Sequence, residues 1–366
     1  MGVVWNRTKN HRRRIDYSPT DIYCLKNYGV VQCNFTTGKT LMKIMIVTDD
    51  WYPQRDIFVN VEKQLILKGF EPVIISPSLF KTFSLPFDDE IRIPRNLTQR
   101  KIDDIFKLHD PLFVHIATEG PIGLKFRKYC LKHKIKFTSS IHHTSTILPT
   151  SWKNWFIRYF HAVSNNILTT HGIEHDLRNR GFEKLVIWES GVDTDLFNPD
   201  KRKSDNDEPV WLYVGDISTK ENIQDFLDLE VCGSKRLVGN GPDLLKLMEK
   251  YSGRKDIVFV GAMLPSAVAK EYANADVTVF PNSANSPTCS IIESMATGTP
   301  VAGFNIPGPG NVILNHINGC TSEDLKDACE KALYCSRETV HSTTKIMYNW
   351  STITDIFVSS LVPCKN

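Results

Sequence analysis

The sequence predicts an α/β protein made of two doubly wound units, and three observations carry that expectation. From Met42 onward, short apolar strands alternate with amphipathic helices, the rhythm of parallel strands joined by crossover helices. A polar, charged run with two prolines, DTDLFNPDKRKSDNDEP between Asp193 and Pro209, interrupts that rhythm and reads as a linker. The 366 residues suffice for two cores of ordinary size.

The elements follow in order. MKIMIVTDD, from Met42, is a strand running into a polar loop, and FVNVEKQLILKGF is an amphipathic helix stopped at Gly69. PVIISP is a short buried strand between prolines. LFVHIATEGPIG is a strand and turn, LKFRKYCLKHK a helix and KFTSSIHHTS a further strand. WFIRYFHAVSNNILTT carries a helix into another strand. After the linker come VWLYVGD, NIQDFLDL, KRLVGNGP, DLLKLMEKY, IVFVG, AVAKEYANA and DVTVFP, again strand and helix in turn. DLKDACEKALYC and TTKIMYNWSTITDIFVSSL are the last helical stretches. The expected organisation is a first unit over 42–195, a linker over 196–209 and a second unit over 210–345. A C-terminal helix over 346–366 is expected to return to the first unit.

The charge narrows the function classes. Residues 1–41 hold seven Lys/Arg and two acids, a net +5, so the remainder of this +3 chain carries −2. A nearly neutral body gives no electrostatic case for nucleic acid. The basic stretch 1–41 lacks a sustained period. It reads as a disordered tail, a basic arm touching an anionic membrane, a poor transit peptide or an upstream extension without a structural role. No apolar run reaches the ~18 residues of a membrane span, and no secretory signal is evident. Nine scattered cysteines without a CxxC pair point to free thiols in a reducing compartment, hence a cytoplasmic expectation.

The segment from Phe280 to Gly310 carries the most chemistry. It leaves a buried strand, crosses a polar loop, places Glu293 near the start of a short helix and closes in small residues and glycines. That order puts a carboxylate and helix N-terminal amides at the carboxyl edge of a parallel strand, where open α/β sheets bind ligands. Gly239 and Gly241 in VGNGP permit a sharp turn and close approach, as a plain turn would also require. Glu119 in ATEGPIG stands at a strand-to-helix turn, where an acid can be structural or line a site.

Taken together, IVTDDWYPQ, HIATEGPIG, FTSSIHHT and GVDTDLFNP in the first half resemble the retaining GT-B glycosyltransferases of family 4. So do YVGDISTKENIQDFLDL, VGNGP, YANADVTVFP, Glu293 with its small-residue helix, and IPGP in the second half. The resemblance is especially to the branch containing GDP-mannose-dependent α-mannosyltransferases and sulfoquinovosyl-lipid synthases. The resemblance implies two Rossmann-like domains facing each other across a cleft. It further implies transfer of a hexose from a GDP- or UDP-sugar to a glycan or lipid-linked acceptor, with retained configuration and neither a tightly bound cofactor nor a metal. The nucleotide would sit against the second domain and the acceptor against the first, near Glu119. Glu293 matches the second acid of the family's paired-glutamate motif, which holds the ribose hydroxyls. Gly239, Gly241 and Thr288 would line the donor pocket, and His142 (or His143 beside it) would face the transferred sugar.

The pattern breaks where the family binds phosphate. Asp216 and Glu221 stand where an arginine and a lysine belong, and Lys220 is displaced by one residue. A like-charge contact at about 4 Å costs ~1 kcal/mol in water and ~4 kcal/mol at an effective dielectric of 20. Asn285 replaces the first acid of the pair, Pro287 and Thr288 replace Phe-Gly, and Ser190 replaces an arginine. Residues 54–57 occupy a loop that in the family carries a glycine. Compensation could come from a one-residue shift of Lys220, from Arg55, or from a divalent cation recruited by Asp216. Two readings stay open: an active glycosyltransferase with an altered donor site, and a degenerate GT-B protein serving as a glycan-binding or scaffolding subunit.

Overall fold

In β1 (Met42–Val47) alternate residues serve opposite cores: Ile44 and Ile46 in one apolar cluster, Met45 and Val47 in another. A strand buried on both faces requires cover on both faces, which is the doubly wound arrangement. The computed structural model describes residues 42–48, 51–77, 91–93, 97–141, 151–203, 206–282 and 288–364. Residues 1–41, with the expected tail and membrane contact, lie outside them.

The chain continues through α1 (Trp51–Leu67), β2 (Phe70–Pro77), β3 (Ile91–Ile93), α2 (Gln99–His109), β4 (Phe113–Ile116) and α3 (Pro121–Lys132). There follow β5 (Thr138–Ile141), α4 (Ser151–His161), β6 (Ile167–Thr169), α5 (His171–Asn179) and β7 (Leu185–Ile187). Among the described residues these strands form a parallel seven-stranded sheet of order β3-β2-β1-β4-β5-β6-β7. The helix of residues 58–70 was expected to follow a loop. Instead α1 starts at Trp51 and takes in residues 54–57. Pro53 is compatible with this because a first-turn residue has no helical partner for its N–H.

The second series is β8 (Val210–Val214), α6 (Ile223–Leu227), β9 (Ser234–Val238), α7 (Leu244–Lys250), β10 (Ile257–Gly261), α8 (Pro265–Asn274) and β11 (Val277–Phe280). It ends with α9 (Cys289–Ala296), β12 (Val301–Phe304), α10 (Pro309–Val312), β13 (Gly319–Ser322), α11 (Leu325–Ala332), α12 (Arg337–Tyr348) and α13 (Trp350–Ser360). Its described strands make a parallel six-stranded sheet, β10-β9-β8-β11-β12-β13. The polar run expected as a linker is bound along α8. Arg202 donates to the Ala273 and Ala275 carbonyls at 3.2 and 3.1 Å and to Asp276 at 3.0 Å. Asn206 also bonds Asp276.

The final helical stretch, expected as one helix, is two. Asn349 adopts extended backbone (φ −66°, ψ 151°), and its side chain caps α13 by accepting from Thr352 N at 2.8 Å. Beyond the break, α13 lies on α1, where Lys68 meets Asp355 at 2.7 Å. Phe357 packs its ring against His115 and Trp188 at 5.1 and 5.2 Å, and Trp188 Nε1 donates to Ile353 O at 3.0 Å. The segment ends beside β4, with Cys364 N bonded to Leu112 O at 2.8 Å. Where the chain returns, Val192 N bonds Tyr348 O at 2.8 Å and Val192 bridges Asn349. Among the described residues no helix is long and apolar enough to cross a membrane.

Phe357→Ala therefore removes a fully buried ring and is expected to destabilise the fold by about 3–5 kcal/mol. Asp355→Asn, at the exposed ion pair with Lys68, should cost less than about 1 kcal/mol. Urea unfolding of both variants checks the contrast.

Candidate functional site

Each sheet reverses its strand order once, and the loops leaving the flanking strands line a crevice at the carboxyl edge. In the first sheet the reversal lies between β1 and β4, in the second between β8 and β11. Side chains from these edges meet. Thr288, just before α9, donates its hydroxyl to Glu189 Oε2 at 3.1 Å, and Glu189 Oε1 accepts from His171 N, at the start of α5, at 2.6 Å. The carboxyl edges of the two sheets therefore face each other.

In the first crevice Glu119 leaves β4 and accepts from His161 Nε2 at 2.9 Å. The ring of His161 is fully buried, and its Nδ1 lies 2.8 Å from Ser139 Oγ on β5. On the opposite face of that strand Thr138 and Ser140 contact the two ring nitrogens of buried His115, at 3.0 and 3.2 Å. A polar strand in a core needs such partners. Glu119 is thus held at the edge with its carboxylate engaged. His142 and His143 follow directly on β5 but lie outside the described residues, as does Asn285.

In the second crevice β8 runs into Gly215 and a 3-10 turn at Thr219–Glu221, whose cap Ser218 accepts from Lys220 N at 3.3 Å. Lys220 and Asp216 are exposed. Glu221 is half-buried and accepts from the Asn282 amide, just beyond β11, so one hydrogen bond spans the crevice. Tyr213 donates to the Asp216 carbonyl at 2.8 Å. Gly239 and Gly241 open close approaches to backbone. A Cβ on Gly239 (φ 145°) would stand 1.9 Å from Gly215 O, and one on Gly241 2.3 Å from Ile217 O. The loops after β8 and β9 interlock there, with Ile217 N bonded to Asn240 O at 2.9 Å.

Glu293 lies in the second turn of α9, beyond the first-turn amides. The macrodipole, strongest in the first turn, therefore does not account for it. Its nearest hydrogen-bond donor is the fully buried Tyr272 hydroxyl at 3.4 Å. Burial pushes its pKa up to about 7, and the Tyr272 contact offsets only part of that rise. Burial likewise raises Glu189, opposed by the His171 amide and Thr288. Sequence reasoning did not single out Glu189, Asn282 or His161. Glu189 stood before GVDTDLFNP as an unremarkable acid, and only its burial at 6% exposure marks it.

The comparisons agree with this arrangement. A family model described as "Glycosyltransferase Family 4" matches residues 59–196, and one described as "Glycosyl transferases group 1" matches residues 208–336. The chain is similar to the GDP-mannose-dependent alpha-mannosyltransferase of Corynebacterium glutamicum, 22% identical over 320 residues covering 76% of each protein. The enzyme of the same name from Mycobacterium tuberculosis is 29% identical over 318 residues, covering 76% of this chain and 83% of the relative. Anabaena HepE, crystallised with UDP-glucose, superposes with a TM-score of 0.63 at 12% identity, over 87% of this chain and 99% of that one.

Two outcomes follow from the geometry. Glu293 has an ordinary value near 4.5 and a folded value of about 7, so between them the folded protein binds more protons than the unfolded chain. Its contribution to stability is full below the lower value and is lost as pH rises through the upper one, by about 3 kcal/mol in all. Glu293→Gln should remove that slope in ligand-free unfolding measured from about pH 5 to about pH 8. Gly239→Ala should destabilise by roughly 2–4 kcal/mol because the added carbon meets fixed backbone, as read by thermal melting.

Proposed function

Since the chain belongs to glycosyltransferase family 4 and has its GT-B fold, we propose that it transfers a hexose from a nucleotide sugar to a hydroxyl of a glycan or lipid-linked acceptor, with retention of configuration. The observation that carries this reading is the pair of facing switch-point crevices, with Glu293 in the second and Glu119 in the first. The nucleotide occupies the second crevice, where the Glu293 carboxylate accepts from the two ribose hydroxyls. The acceptor approaches along the Glu119 side, and His142 stands beside the transferred sugar. Lys220 and the N-terminal amides of α9 draw the leaving-group charge. GDP-mannose is the first donor to try because of the mannosyltransferase relatives, and UDP-glucose the second because of the HepE complex.

A specific observation favours a second reading, a degenerate protein that binds glycans without transferring sugar. Two of the residues that depart from the family at the donor end are engaged internally: Glu221 by Asn282 and Thr288 by Glu189. Thermal melting of the full chain against GDP, UDP, GDP-mannose and UDP-glucose separates the two. A ligand at 100 times its Kd stabilises by about 2.7 kcal/mol. The transferase reading expects a shift with one base that Glu293→Ala abolishes, followed by an α-configured product by NMR. No shift with any of them, from a well-folded protein, would leave only the degenerate reading.

A further inference from the structure

Between Glu119 and Glu174 the chain has no acid. Residues 120–173 carry eight Lys/Arg and neither Asp nor Glu, so the rest of residues 42–366 carries −10. The stretch builds α3 and α4, which are joined by Arg127 on α3, donating to the Tyr159 and Phe160 carbonyls of α4 at 2.6 and 2.9 Å. Among the described residues no carboxylate pairs with the exposed Lys128 and Lys132 on α3 or with the exposed Arg158 on α4. By contrast Arg178 and Arg180, at the end of α5, pair with Glu174 and Asp176 at 2.8 Å.

This basic face carries an aromatic platform. Trp155 is 67% exposed and Tyr159 49%, and their rings stack at 5.3 Å and 11°. The stack is held from within, because the buried Arg127 guanidinium lies 4.2 Å from the Tyr159 ring centre. A ring stacked on one face and two-thirds exposed keeps its other face open to solvent. Contiguous apolar area kept in water marks a contact surface.

Trp155 also lines a recess of about 400 Å³ between α4 and α5. Ile157, Leu177 and Phe182 give it a buried apolar lining, and Arg158, Asn179 and Arg180 a polar one. That volume and that mixture, mostly apolar with a few polar groups, suit a small ring-shaped ligand. Arg158 Nη1 donates to Arg180 O at 3.4 Å, and among the described residues its other N–H donors have no partner. It is therefore the one cation of the recess without an acid beside it. α5 begins at the crevice with His171, and the recess gathers at its other end, about 12 Å along the helix. The recess is thus a place apart from both crevices.

We infer that this recess binds a hexuronate unit of an acidic glycan. The apolar face of the sugar ring lies against Trp155, its carboxylate balances Arg158 through charged hydrogen bonds, and the Asn179 amide serves its hydroxyls. A lipid bilayer is also drawn to basic and aromatic side chains, but it brings no ring to fill a recess. The inference needs no nucleotide and stands under either reading of the donor end.

Isothermal titration of the full chain with oligomers of galacturonate and of glucuronate tests it, with their methyl esters as uncharged controls and polyglutamate as an acidic polymer without sugar. One of the two acids is expected to bind, and its ester about tenfold or more weaker. Trp155→Ala and Arg158→Gln should each weaken binding by about tenfold, whereas Trp155→Phe should keep most of it. Tyr334→Ala, at another exposed aromatic (90%), should change nothing. Trp155 and Arg158 are exposed, so thermal melting should find these variants folded. Binding of neither acid, equal binding of the ester or of polyglutamate, or full affinity in Trp155→Ala or Arg158→Gln overturns the inference. Co-sedimentation with phosphatidylglycerol vesicles that both variants lose, without binding of either oligomer, would assign the face to a membrane instead.

Discussion

Parallel pairing is the constraint from which the rest of the molecule follows. A strand that pairs in parallel on both sides cannot turn back by a hairpin, so each connection must cross a sheet face and each strand must exit at the same edge. Both faces are then covered, as the split allegiance of Ile44 and Met45 shows. The loops that leave the strands all lie at the carboxyl edge, where open sheets of this kind bind ligands. Two such sheets set edge to edge, joined by Glu189 between Thr288 and the start of α5, bring those loops together.

That meeting place is rich in acids out of water. Burial raises Glu189 and Glu293, which are steadied by the His171 amide and the Thr288 hydroxyl in one case and the Tyr272 phenol in the other. Glu293, raised to about 7, sits close to the balance between its two protonation states, which makes it responsive to whatever enters. A hydroxyl-bearing ligand that donates to Glu293 favours its ionised form.

Most of the fold was legible from period and punctuation. β1, β8 and β11 are short apolar runs bounded by polar loops, and their burial leaves little room for another reading. The strands passed over were β3, β7, β12 and β13, of three or four residues each. β12 and β13 are built from VAGF and GCTS, where small and polar residues give no hydrophobic signal and sheet pairing alone defines the strand. The site was legible in part. Glu293 stood out because a carboxylate on a short helix that follows a buried strand falls at the carboxyl edge of a parallel sheet. Asn282 and Glu189 did not, because their significance is a partner distant in sequence, and no local pattern encodes a hydrogen bond from residue 282 to residue 221. Gly239 and Gly241 were noticed for close approach, and the partner each approaches, the backbone of residues 215 and 217, became visible only in three dimensions.

The return of α13 to the first sheet means that the polypeptide passes between the two sheets twice, once after β7 and again at the break before α13. These passages are bonded to each other through Val192, Tyr348 and Asn349. Two covalent connections at separate places would lock two bodies together, whereas two lying side by side behave as a single pivot. Crossings bonded side by side would oppose sliding and twisting of one sheet against the other more strongly than a small swing about the line through Val192.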